Sequence, residues 1–189
     1  MKYLNRGDIM SFKGTTVIAI RRGGKTVVAA DGQVTFGHTV LKSNAVKIRK
    51  LVNGKILAGF AGSTSDAITL FEKFEEKVKA REDGIIDIKR AAVELAKDWR
   101  SDKILHKLEA MMLVADSENI LLISGTGDVV EPEEDVISIG SGGNYAYSAA
   151  LAYMENKKLS AADIAFKSLK VASRVCIYTN SNIVLEEIS

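Results

Sequence analysis

The hydrophobic period of this chain changes in blocks, and that alternation constrains the fold more than any single residue. Thr15 to Arg22 and Lys25 to Ala30 are β-rich runs separated by Gly23-Gly24, a pair suited to a two-residue hairpin turn. Lys47 to Val52 and Lys55 to Ala61 follow, joined by Asn53-Gly54, whose residues both tolerate positive φ. From Ser63 the period becomes helical. Ser63 and Asp66 have capping-box spacing with an acid in place of the usual glutamate, and Ala67, Leu70, Phe71, Phe74 and Val78 form one apolar stripe. A second helix is expected from about Asp87 through Trp99. It would bury Ile88, Ala91, Ala92, Leu95 and Trp99 and turn Lys89, Arg90, Glu94, Lys97 and Asp98 to water. Strand spacing returns at Ala110 to Ala115 and Ile120 to Ser124, with a turn at Asp116 to Asn119, and in shorter form at Val129-Val130 and Val136 to Ile139. Gly142 to Met154 and Ser160 to Cys176 resume helical spacing, the latter opened by the capping pair Ser160 and Asp163. Asn182 to Ile188 closes as a strand.

Strands grouped in blocks argue against a doubly wound parallel sheet and for antiparallel sheets covered by helices, an α+β fold. Two stacked sheets with helix pairs outside would bury every apolar stripe. At 189 residues and 47% hydrophobic the chain suits one well-filled core, and a single proline, Pro132, with no repeat or Ser-rich stretch gives no sign of a linker. One domain is expected over 15–189. Met1 to Gly14 is polar and without period, so it reads as an unpacked leader, and Met10 offers an alternative start. The 26 basic and 24 acidic residues are interspersed, which argues against a nucleic-acid partner. Neither a signal peptide nor a run of about 18 apolar residues is present, so no membrane role and no export are expected. The lone Cys176 fits a reducing compartment, the cytoplasm by default, and reads as a small buried hydrophobe.

The chemistry to be weighed begins at Gly14-Thr15-Thr16. A threonine freed at its α-amine carries nucleophile and base together: the hydroxyl attacks a carbonyl, and the amine, with a reference pKa of about 7.7–8.0, accepts its proton. Taken alone, Thr-Thr is ordinary strand composition. Gly23-Gly24-Lys25-Thr26 looks like the end of a phosphate-binding loop, but Ala19 stands where that loop needs glycine and Val27 to Ala30 continues a strand instead of a helix, so nucleotide binding is not expected. His38 and His106 lack partners at metal-ligand spacing and read as ordinary polar residues.

Thr15-Thr16-Val17, Ala30-Asp31-Gly32-Gln33-Val34-Thr35-Phe36-Gly37, Lys47-Ile48-Arg49-Lys50-Leu51 and Leu57-Ala58-Gly59-Phe60-Ala61-Gly62 together resemble the HslV (ClpQ) family of bacterial proteasome-like peptidase subunits. The resemblance continues through Ala92 to Trp99, Gly140-Ser141-Gly142-Gly143 and Ile177-Tyr178-Thr179-Asn180, so it covers nearly everything from Thr15 onward. It implies an N-terminal-nucleophile hydrolase fold, a four-layer αββα sandwich. It further implies a threonine endopeptidase with Thr15 as nucleophile once the Gly14–Thr15 bond is cut. Lys47 would be the lysine beside it, Asp31 the carboxylate that holds the lysine, Gly59 the backbone N–H donor to the oxyanion, and Ser141 the serine that orients the threonine amine. Backbone carbonyls of Ser173, Cys176 and Thr179 would hold a sodium ion, although Ser173 stands where the family usually has glycine. The implied partners are further copies of the chain in two stacked hexameric rings, a dodecamer, together with the hexameric HslU (ClpY) ATPase, which hydrolyses the ATP, and unfolded polypeptide substrates. The alternative is a non-catalytic ring subunit of the same fold that never loses its leader.

Overall fold

The computed structural model describes residues 12–62, 64–79, 85–102 and 110–189. Among these, the chain runs through β1 (Phe12–Lys13), β2 (Thr16–Arg22), β3 (Lys25–Asp31), β4 (Val34–Phe36), β5 (Thr39–Lys42), β6 (Ile48–Leu51) and β7 (Ile56–Ala61). Helices α1 (Thr64–Lys79) and α2 (Ile88–Ser101) follow, then β8 (Met111–Ala115), β9 (Ile120–Ser124), β10 (Val129–Val130) and β11 (Val136–Gly140). Helices α3 (Gly143–Met154) and α4 (Ala161–Val175) and the strand β12 (Ile183–Ile188) complete it.

The strands form a four-stranded sheet in the order β11-β2-β3-β12, a five-stranded sheet in the order β10-β9-β8-β7-β6, and a small sheet β1-β4-β5, with every pairing antiparallel. The blocks of the sequence do not map one to one onto the sheets. The hairpin β6–β7 joins β8 and β9, while β11 and β12 return to flank the first hairpin.

Alternation along each strand explains the layering. In β2, Ile18 and Ile20 turn to one core with Ala146, Ala150, Ile164, Ala165 and Leu169 from α3 and α4, whereas Val17 and Ala19 turn to another with Ile48, Leu57, Leu113 and Ala115 from the five-stranded sheet. The outer face of that sheet, through Ile56, Ala58, Met112 and Val114, meets Leu70, Phe74, Leu95 and Trp99 of α1 and α2. The result is helices, sheet, sheet, helices, the αββα sandwich. Because both faces of β2 and β3 are covered, these strands read as near-continuous buried runs, which is why they look so strongly apolar in the sequence.

The local signals explain most boundaries. Gly23 and Gly24 both have positive φ and turn β2 into β3. Asp87 caps α2 by accepting from the Arg90 N–H at 2.9 Å. Ser160 and Asp163 form a full capping box at α4, each side chain accepting from the other residue's backbone. The Ser63–Asp66 pair, like His106, lies outside the described residues.

Three details differ from the reading of the sequence. The second hairpin closes with four loop residues, 52–55, in which Val52, Asn53 and Gly54 all have positive φ, and the Val52 N–H is held by Glu75 Oε1 at 3.0 Å. That side chain comes from a helix distant in sequence, so no local pattern announces it. Strands β4 and β5 were not expected: β4 is three residues long, too short for its alternation to stand out, and the four residues of β5 are exposed throughout. Finally, Phe12–Lys13, expected as part of an unpacked leader, pairs with β4 through Phe12↔Phe36 and Lys13↔Thr35.

Candidate active site

Thr15 lies between β1 and β2, immediately before β2 enters the four-stranded sheet as an interior strand. Its position is fixed mainly through backbone. The Ser141 N–H donates to the Thr15 carbonyl at 2.9 Å, and Gly140, with φ of 90°, passes so close that a Cβ there would stand 1.9 Å from the same oxygen. The next residue is fixed by its side chain. Thr16 Oγ1, fully buried, accepts from the Gly142 N–H at 3.0 Å and shares a hydrogen bond with Thr179 Oγ1 at 2.7 Å.

Asp31 ends β3 beneath this turn with its carboxylate buried. Oδ1 accepts from the Thr16 N–H at 2.8 Å and from Lys47 Nζ at 2.7 Å, and Oδ2 accepts from the N–H groups of Gln33 at 2.9 Å and Asn180 at 3.2 Å. Four donors thus hold one carboxylate in a single orientation. Lys47 bridges it to the threonine: its ammonium donates both to Asp31 and to the Gly14 carbonyl, the latter at 2.8 Å. Burial lowers the Lys47 pKa from the usual lysine value, opposed by the charge of Asp31 and its hydrogen bond. The Thr15 hydroxyl donates to the same Gly14 oxygen at 2.9 Å. Two donors therefore converge on the carbonyl that precedes Thr15.

Of the residues singled out from sequence, Thr15, Asp31, Lys47 and Ser141 come together here. Thr15, Lys47 and Ser141 also line one cavity of about 400 Å3 with Gly14, Phe60, Gly62, Phe71 and Met111. Gly59 is not among the lining residues. It sits mid-strand in β7, paired with Ile48 and Leu113, and a Cβ there would come within 2.5 Å of Val17 Cγ1. The need for glycine at 59 is thus met by contact between the two sheets.

Ser173, Cys176 and Thr179 gather at the C-terminus of α4. Ser173 is within the helix and has no positive φ, so the conformational freedom of glycine is not required at this position. Among the described residues no three His, Cys, Asp or Glu side chains cluster as metal ligands.

Sequence reasoning missed Thr16, Gln33 and Asn180 as members of this network. Asn180 Oδ1 accepts from the Gly32 N–H at 3.2 Å and its Nδ2 donates to the Ser43 carbonyl at 2.8 Å, tying three loops around Asp31. Its only signal was its place in Ile177-Tyr178-Thr179-Asn180.

Comparison with known proteins gives the class first. The proteasome subunit family model matches residues 11–188. A protein named ATP-dependent protease subunit HslV from Borrelia turicatae (strain 91E135) is 98% identical over 180 residues, covering 95% of this chain and 100% of that protein. One of the same name from Borreliella burgdorferi (strain ZS7) is 90% identical over 179 residues, covering 95% and 98%. Among solved structures, eukaryotic HslV from Trypanosoma brucei superposes with a TM-score of 0.85 at 40% identity, covering 91% of this chain and 98% of that one. Thiobacillus denitrificans BPH shares the fold, with a TM-score of 0.73 at 20% identity, covering 92% and 97%. The chain belongs to the proteasome family and, within it, to the HslV branch of protease subunits. It is therefore a proteasome-like hydrolase subunit with peptidase function.

Proposed function

We propose that this chain is a threonine endopeptidase which first releases its own nucleophile and then cleaves unfolded polypeptides delivered by an HslU-type ATPase. The observation that carries this reading is the convergence of Lys47 Nζ and Thr15 Oγ1 on the Gly14 carbonyl oxygen, at 2.8 and 2.9 Å. In the first reaction the Thr15 hydroxyl, losing its proton to solvent, adds to the Gly14 carbonyl carbon. The charge that develops on the Gly14 oxygen is met by the ammonium already beside it. Collapse breaks the C–N bond, the Thr15 nitrogen takes up a proton, and water hydrolyses the resulting ester to leave Thr15 with a free amine. In the second reaction that amine accepts the hydroxyl proton as Oγ1 attacks a substrate carbonyl. Water then resolves the acyl-enzyme.

Asp31 keeps Lys47 charged and in place. Ser141 fixes Thr15 through its backbone, and its hydroxyl, at the cavity rim, is assigned to orienting the free amine. Gly59 is retained as the oxyanion donor of the substrate reaction, a role worth about 3 kcal/mol in comparable sites. Oxygen ligands suit a hard cation, and the carbonyls of Ser173, Cys176 and Thr179 stand at the C-terminus of α4, where the helix dipole is negative; the Cys176 carbonyl also accepts from the Thr179 N–H at 3.1 Å, leaving its second lone pair for the ion. A sodium ion held there would stiffen the loop that carries Thr179 and Asn180. Active particles are proposed to be dodecamers of two hexameric rings in the cytoplasm, with ATP hydrolysed by the partner.

Thr15→Ala tests the reading. Peptide hydrolysis in the presence of the ATPase is expected to vanish while the particle mass stays unchanged. Substantial hydrolysis by that variant would remove Thr15 as nucleophile.

A further inference from the structure

Lys47 reaches the Gly14 carbonyl from an exposed stretch of chain. Residues 43–46, which lead into β6, belong to no helix or strand, and of these only Ala45 is partly covered. Yet the Lys47 side chain is only 8% exposed and meets Asp31 at 2.7 Å. On one side β6 fixes the chain through the pairing of Ile48 with Gly59. Something else must fix it on the other.

Two asparagines do so. The Ser43 carbonyl accepts from Asn180 Nδ2 and from Asn182 Nδ2, each at 2.8 Å, so both of its lone pairs are filled by side chains from the loop between α4 and β12. The Asn180 amide is itself held. Its Oδ1 accepts from the Gly32 N–H at 3.2 Å and from the Asn182 N–H at 3.1 Å, which aims Nδ2 at Ser43. The backbone N–H of the same residue donates to Asp31 Oδ2 at 3.2 Å. Asn180 therefore grips both sides of the ion pair: Asp31 directly, and Lys47 through the coil that carries it. Gly32 completes the joint. Its carbonyl accepts from the Ala45 N–H at 2.9 Å, and a Cβ at 32 would stand 2.4 Å from the Ser43 oxygen.

We propose that Asn180 and Asn182 are positioning residues, whose paired grip on the Ser43 carbonyl sets the coil that delivers the Lys47 ammonium to the Gly14 carbonyl. Both act through what they hold. The proposal rests on the self-scission described above, whose failure looks different: the wild type itself would keep its leader, and the labelling of Lys47 described next would then decide alone.

The test uses N182A and N182D, the second keeping the shape of Asn182 without its donor. Asn182 is exposed, so neither change disturbs the core. Full-length chains are treated with an acetylating reagent, and modification of Lys47 is read by peptide mass spectrometry against the exposed Lys158. Relative acetylation of Lys47 is expected to rise about 5-fold in both variants, the weight of one lost hydrogen bond acting on a local opening. Leader scission, followed by intact mass after a short pulse of synthesis, is expected to slow by about the same factor. Wild-type acetylation of Lys47 in either variant, or scission at the wild-type rate, would overturn the proposal. So would a rise at Lys47 matched by equally faster hydrogen exchange of the buried β2 amides, because that is a loosening of the whole fold.

Discussion

At the scale of single residues, the site is a study in how a buried charge is made tolerable. Asp31 and Lys47 would each be costly alone in this environment; besides the ion pair, Asp31 accepts three backbone hydrogen bonds and Lys47 donates one to the Gly14 carbonyl. Removing one partner strands the other, so Lys47→Met is expected to do more than delete a donor. It should abolish self-scission and lower stability by about 3–5 kcal/mol, read by intact mass and by denaturant unfolding. The pH dependence follows from the lowered Lys47 pKa. In the proposed mechanism scission needs the ammonium, so its rate is expected to fall on the alkaline side at a pH below the ordinary lysine value of 10.5. Because folding lowers this pKa, the unfolded chain binds the extra proton between the lowered value and 10.5, and this group's contribution to stability rises with pH through that window. A pH profile of scission rate that stays flat past 10.5 would contradict this. Thr15, Asp31, Lys47 and Ser141 were legible because they lie in motifs with family resemblance. Asn180 and Thr16 were not, since their side chains bond to residues 137 and 148 positions away in one case and 126 and 163 in the other.

At the scale of elements, two glycine-bearing segments set the geometry. Gly140 ends β11 where its Cα abuts the Thr15 carbonyl, and its φ of 90° is one that side chains avoid. Gly140→Ala is expected to displace Thr15, with a backbone penalty of about 1–3 kcal/mol and slower scission, and crystallography or scission kinetics would detect it. By contrast α4 owes its start to a local device. Ser160→Ala should lower stability by about 1 kcal/mol in urea unfolding without altering peptide cleavage, because the capping box is remote from Thr15. The helices and long strands were readable because their burial is periodic. The four-residue loop at 52–55 and strands β4 and β5 were not, because Glu75 from α1 decides the first, β4 is only three residues long, and exposure erases the pattern in β5.

At the scale of the whole molecule, the sandwich brings the chain's two halves together at one edge. β2 and β3 supply Thr16 and Asp31, the segment before β6 supplies Lys47, the turn before α3 supplies Ser141, and the loop after α4 supplies Thr179 and Asn180. Only the stacked sheets make these neighbours, so the fold must form before the site exists. The sequence blocks revealed the layers but not how strands are shared between sheets, because antiparallel pairing partners are chosen by long-range packing. In the proposed reading scission of the leader is the last step of maturation, and it is the central claim. Intact mass of the protein purified from its native host measures it most directly. Loss of everything before Thr15 is predicted for particles that hydrolyse peptides; active particles still carrying residues up to Gly14 would contradict it.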